Sequence, residues 1–138
     1  MLLATGLGAA CSLAASDDHS QQACRLRDRL WTKLREAFGD AVVLNGHPSL
    51  RLPTTLNVSF VGRIGADILA HLDGVAASTG AACHSGSVEL SPVLAAMGVP
   101  LEVGMGAIRF SVGRGTTDAE IEDVVDRLRG VLRGRATA

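Results

Sequence analysis

"TTLNVSFV", residues 54–61, decides how this chain is built. Leu56, Val58 and Phe60 fall on one side of an extended backbone, and Asn57 and Ser59 fall on the other. That period of two is the signature of a half-buried β-strand. "AIRFSVG", residues 107–113, repeats it, with Ile108, Phe110 and Val112 alternating with Arg109 and Ser111. Strands with one apolar and one polar face belong in an antiparallel sheet covered on one side, because parallel sheets are buried on both. Helical patterns must supply the cover. Leu26, Leu30, Leu34 and Phe38 recur every four residues, with Arg25, Arg27, Asp28, Arg29, Lys33, Arg35 and Glu36 around them and Gly39 as a stop. Residues 2–38 therefore read as one long N-terminal helix or two consecutive ones. At the other end, Thr117 and Glu120 form a capping-box pattern. Ile121, Val124, Val125, Leu128, Val131 and Leu132 then make an apolar stripe.

The intervening segments fit the same plan. "AVVLNGHP" predicts a short strand and a turn at Asn45-Gly46 and Pro48. "GADILAHLDG" predicts a short helix with Ile68, Leu69 and Leu72 inward, closed by Gly74, and "VAAST" a brief strand. "SPVLAAMG" has Ser91 placed as an N-cap and Pro92 at the first helical position. The expected fold class is α+β: a small, mostly antiparallel sheet with helices on one side, in one domain spanning residues 1–138. No repeat, low-complexity stretch or interdomain linker interrupts it.

Composition narrows the function classes. At 138 residues and 47% hydrophobic content, the chain can bury an ordinary core. With only 3 Phe and 1 Trp, that core must be aliphatic. A net charge of -1 speaks against a nucleic-acid or acidic-membrane partner. The 3 cysteines show neither a metal spacing nor an even disulfide framework, which fits a reducing cytoplasm. Leu7-Gly8-Ala9-Ala10-Cys11 faintly resembles a lipoprotein cleavage site, but no Lys or Arg precedes the apolar run as a secretory leader requires. Lys33 is the sole lysine, so any Schiff-base chemistry must use it or a lysine from elsewhere.

Candidate chemistry centres on "TGAACHSGSVELSP", residues 79–92. Cys83 stands among Gly, Ala and Ser with His84 behind it. Two readings stand: a small hydrophobe at a strand end, or a partly exposed reactive thiol whose thiolate a protonated His84 would support. Cys11 and Cys24 read as structural, on a helix without polar partners. Arg109 projects from the polar side of its strand beside Ser111. It is either a surface ion-pair partner or a carboxylate clamp, for which the guanidinium fork is well shaped. Arg114 is a weaker candidate. His19, His47 and His71 lack metal-ligand spacing; the acidic residues Asp67, Asp73, Asp118, Glu120, Glu122 and Asp123 read as solvated helix faces.

Four segments carry a resemblance. "RLPTTLNVSF", "STGAACHSG", "SPVLAAMGVP" and "AIRFSVGRGTTDAEIEDVV" stand in the order and spacing of the carboxyl-terminal part of cysteine desulfurases, enzymes of the class V aminotransferase family that depend on pyridoxal phosphate (PLP). The "GAACHS" and "SPVL" stretches look especially like selenocysteine lyases. The resemblance runs from about Thr5 to Leu132. It implies the small domain of a fold-type I PLP enzyme. It implies a reaction in which a loop cysteine takes sulfur (or selenium) from L-cysteine (or L-selenocysteine) as a persulfide, and alanine leaves. Cys83 matches the loop cysteine and Arg109 the arginine that holds the substrate's α-carboxylate.

The same resemblance implies a sulfur-acceptor protein as partner, as in iron–sulfur cluster assembly, and a homodimer or a complementary large-domain chain. The family's large domain is absent from this sequence, and with it the PLP-binding lysine, which Lys33 does not match. Thr54 stands where Asn is usual in the family and Gly115 where a bulkier residue is common. The chain by itself is therefore expected to be inactive. The alternative is a non-catalytic, truncated module that carries a thiol or persulfide or binds a partner.

Overall fold

Three strands form one antiparallel sheet in the order β1-β2-β3, with β1 at Val42–Leu44, β2 at Thr55–Phe60 and β3 at Ala107–Ser111. The computed structural model describes residues 2–16, 19–79 and 90–134. Val42 pairs with Phe60 across β1 and β2, and Val58 with Ile108 across β2 and β3. This register places Leu56, Val58, Ile108 and Phe110 on one face, where all are buried. Helices α1 (Leu2–Ser16), α2 (His19–Phe38), α3 (Gly65–Leu69), α4 (Pro92–Ala96), α5 (Leu101–Gly104) and α6 (Asp118–Arg133) complete the described chain. The α+β expectation holds.

The cover over the sheet comes from α2 and α6. Leu26, Leu30 and Leu34 of α2 and Ile121, Val125 and Leu128 of α6 join the strands in one core. Each such side chain, fully buried, contributes about 1.5–3 kcal/mol. Phe38 at the end of α2 meets Phe60 edge to face, with ring centroids 5.5 Å apart. Gly39 then turns the chain at a φ of 56°, followed by a single 3₁₀ turn, Gly39–Ala41, into β1. The capping box of α6 is present in full: Thr117 Oγ1 accepts from the Glu120 amide, and the Glu120 carboxylate accepts from the Thr117 amide.

Ion pairs fasten the two helices. Arg25 and Arg29 of α2 both reach Asp118, at 2.9 and 3.3 Å, while Arg29 and Lys33 reach Glu122, at 2.7 and 3.9 Å. Partners advance together along both helices, so α2 and α6 run in the same direction. This corrects the expectation for Asp118 and Glu122: they join helices rather than merely solvate one. Hydrogen bonding from Arg25 holds the Asp118 carboxyl below its ordinary range and raises the Arg25 guanidinium. Arg127 is likewise raised by its hydrogen bond to Asp123.

Several local expectations change. Helix α3 ends at Leu69 rather than near Gly74; the chain leaves it in turns, yet Ile68 and Leu72 still face the core. "VAAST" shrinks to one bridge, Ser78 with Arg109. Pro92 opens α4, but the Ser91 hydroxyl makes no cap, and the Ser91 carbonyl instead accepts from the Ala95 amide. Helix α5, four residues long, is too short to announce itself by periodicity. Residues 2–38 resolve into two helices, and the described side chains of α1 are all exposed, including Leu2, Leu3, Leu7 and Leu13. Among the described residues, no helix is long and apolar enough to cross a membrane.

Candidate functional site

The outer face of the sheet, away from α2 and α6, carries the polar residues. Arg109 lies there, exposed, as its alternation on β3 requires. Its backbone exchanges both hydrogen bonds with Ser78: the Arg109 amide donates to the Ser78 carbonyl at 2.6 Å, and the Ser78 amide to the Arg109 carbonyl at 3.2 Å. Ser78 thus extends the sheet by one residue just before the cysteine-bearing segment. A shallow groove of about 180 Å³, lined by Ala76, Ala77, Ser78, Arg109 and Ser111, opens at this place. Two larger depressions, of about 300 and 320 Å³, exclude Arg109, although the second shares Ala76 and Ser111 with this groove. The small groove has the chemistry: a guanidinium without a side-chain partner among the described residues, next to Ser111 on an open polar face.

Cys83 and His84 fall outside the described residues. Arg114 is exposed in the turn after β3. His47 serves its own turn, with Nδ1 accepting from the Leu50 amide at 2.9 Å, and His71 Nδ1 meets the Asp67 carbonyl at 2.8 Å. Among the described residues, no group of His, Cys, Asp and Glu could hold a metal ion.

Two polar clusters escaped sequence reasoning. Arg27 is buried on α2, where it donates to the Leu52 carbonyl at 2.7 Å, to Asp28 and to Cys24 Sγ at 3.1 Å. Cys24 therefore has a polar partner, contrary to expectation. Asp28 also pairs with Arg51 at 2.9 Å, and together these contacts tie the loop before β2 to α2. Arg27 lies on the inward face, four residues after Ala23 and three before Leu30, but its charge makes it read as part of the polar surround. The second cluster lies on the outer face: Asn45 Nδ2 donates to Asn57 Oδ1 at 2.7 Å and to Ser59 Oγ at 2.8 Å. Ser59, expected on the polar face, is there but fully buried. The polar side of the "TLNVSF" alternation signalled the face; the pairing partner was invisible without register.

The residues present do not fit PLP. The only lysine, Lys33, sits in the helical layer, paired with Glu36 at 3.3 Å and Glu122 at 3.9 Å, whereas Arg109 faces out from the other side of the sheet. No lysine of this chain can meet a ligand held by Arg109.

Comparison with known proteins follows the geometry. No family model matches. A solved NifS-like protein superposes with a TM-score of 0.70 at 25% identity, over 85% of this chain and 29% of that one. A NifS-like protein from Rickettsia africae shares the fold at a TM-score of 0.69. In sequence, the cysteine desulfurase of Gluconacetobacter diazotrophicus is 45% identical over 92% of this chain and 32% of its own length. Cysteine desulfurase IscS of Colwellia psychrerythraea is 40% identical over 92% of this chain and 31% of its own. The cysteine desulfurase of Rattus norvegicus is also 40% identical, over 91% and 28%. Fold and sequence together place the chain with the NifS-like proteins. More narrowly, its sequence is similar to the carboxyl-terminal part of cysteine desulfurases, and it spans about a third of the length of the curated relatives it matches.

Proposed function

We propose that this chain supplies the carboxylate-binding arginine and the sulfur-accepting thiol of a PLP-dependent cysteine desulfurase or selenocysteine lyase. The observation that carries the reading is the backbone pairing of Arg109 with Ser78. It ties the strand that presents the guanidinium to the segment that leads into "GAACHS". Five Cα-to-Cα steps lead from Ser78 to Cys83, a chain length of at most about 18 Å. A substrate carboxylate on Arg109 is therefore within tether range of the Cys83 thiol.

The division of labour is chemical. Arg109 fixes the amino acid by a charge-assisted pair, which orients its sulfur. The Cys83 thiolate attacks that sulfur; an S–S bond forms, and the substrate's C–S bond breaks with its electron pair left on the substrate carbon. Protonation of the carbon skeleton gives alanine, and Cys83 is left as a persulfide for an acceptor protein. His84 would support the thiolate. PLP, bound by a lysine that these 138 residues do not provide, would supply the electron sink for that pair. In sequence, Cys83 is flanked by Gly80, Ala81, Ala82, Ser85 and Gly86, small residues without the bulk of a core segment. A reducing cytoplasm suits the chemistry.

Reconstitution tests this. The chain mixed with a large-domain polypeptide bearing the PLP lysine should release sulfide from L-cysteine in the presence of a reductant. Cys83→Ser should abolish persulfide formation, whereas Cys11→Ser and Cys24→Ser should keep it. Loss in either of the latter would misplace the nucleophile. No turnover with any such partner would favour the non-catalytic module.

A further inference from the structure

The strand register sets four polar residues in a straight row across the outer face. Asn57 lies opposite Arg109, Ser78 lies opposite Arg109 on the other side, and Asn45 follows Leu44 in register with Asn57, its amide donating to the Asn57 carbonyl at 3.0 Å. The row reads Asn45, Asn57, Arg109, Ser78. Backbone polarity sorts its pairs. Arg109 spends both backbone groups on Ser78, and the Asn57 carbonyl points to Asn45. Asn57 and Arg109 are therefore a non-hydrogen-bonded pair, the kind in which facing side chains come closest, with Cβ atoms about 4.5–5.5 Å apart.

We infer that Asn57 is a second donor to the carboxylate that Arg109 binds, with its amide aimed by Asn45. The inference rests on the proposed role of Arg109. Asn45 Nδ2 spends one hydrogen on Asn57 Oδ1 and the other on the buried Ser59 hydroxyl, so the acceptor end of the Asn57 amide faces Asn45. That leaves Asn57 Nδ2 as the free end, and it donates to no side chain among the described residues. A guanidinium fork beside a fixed amide N–H offers three donors to the two oxygens of a carboxylate, which have about four lone-pair sites. The arrangement also discriminates. An ammonium end of the ligand would meet the Arg109 cation, a repulsive pairing, so the carboxylate end is the one held. Asn57 is a binding residue in this assignment, and Asn45 a positioning residue.

The test uses the ¹⁵N-labelled chain, titrated with L-alanine and, as a control lacking the carboxylate, with propylamine. The Asn57 side-chain amide and the Arg109 Nε–H resonances should move together on one saturable curve with L-alanine and stay put with propylamine. Asn57→Ala should weaken binding roughly tenfold, the low end for loss of one hydrogen bond to a charged acceptor at a half-buried residue. Asn45→Ala, which frees the amide without removing it, should give a smaller loss. Arg109→Ala should abolish saturable binding. Full binding by Arg109→Ala would overturn the carboxylate role of Arg109 itself. Loss in Arg109→Ala with unchanged affinity in Asn57→Ala, or a stationary Asn57 amide in the wild-type titration, would overturn only the role of Asn57. No saturable shift up to the solubility limit of L-alanine would overturn both.

Discussion

Gly106 shows how one position can hold a site in place. A Cβ built there would lie 2.0 Å from the Phe60 carbonyl oxygen and 2.8 Å from its carbonyl carbon, both backbone atoms that cannot swing aside. The same residue accepts from the Phe60 amide at 3.0 Å, so the end of β2 and the entry to β3 are pressed together at this point. Gly106→Ala should therefore force β3 away from β2 at a cost of about 3 kcal/mol, the overpacking range. Urea unfolding would read this as a lower midpoint with unchanged slope; a midpoint equal to wild type would show that the strands separate freely. Arg109 lies three residues on, so the same substitution is expected to weaken L-alanine binding without touching the guanidinium.

At the level of elements, the pairing of α2 with α6 makes a pH-dependent contribution whose sign follows from Asp118. Its folded-state pKa is depressed, first by the hydrogen bond from Arg25 and further by the charges of Arg25 and Arg29. A depressed carboxylate contributes stability that is present above its unfolded pKa and is lost as pH falls through the folded one. That window lies at and below the ordinary carboxyl value of 3.8, so neutral conditions keep the contribution and acid removes it. Both partners are exposed at this contact, which keeps the effect modest and salt-sensitive. The Asp118→Asn variant should show a shallower loss of stability between mildly acidic and strongly acidic buffer than the wild type, measured by denaturant unfolding. Identical slopes would mean that the helices are held by their apolar stripes alone.

For the whole molecule, the placement of Lys33 and Arg109 on opposite sides of the sheet governs what the chain can do by itself. The purified chain with added PLP should release no sulfide from L-cysteine above the rate of PLP alone. Orientation of reacting groups supplies a large part of the acceleration in such reactions, and a free cofactor lacks it. Turnover by the isolated chain would require a lysine-independent route and would overturn the reading. The exposed leucines of α1 bear on the same point: in this chain the first helix buries none of its apolar side chains, while α2, next in sequence, buries Leu26, Leu30 and Leu34.

The amino-acid sequence by itself determined the α+β class, both principal strands, the inner and outer faces of the sheet, the stripes of α2 and α6, and the capping box. These follow from periodicity and local capping, which act over a few residues and need no knowledge of the partner. It also placed Arg109 on the polar face and marked the family through four ordered motifs. Tertiary structure alone decided the rest. The neighbours of Arg109, the join of Asp118 and Glu122 to α2, the burial of Arg27 and the covering of Ser59 all depend on register or on contacts between residues far apart in the chain. A one-residue change of register would exchange the two faces of a strand, and only packing of the buried face selects the right one.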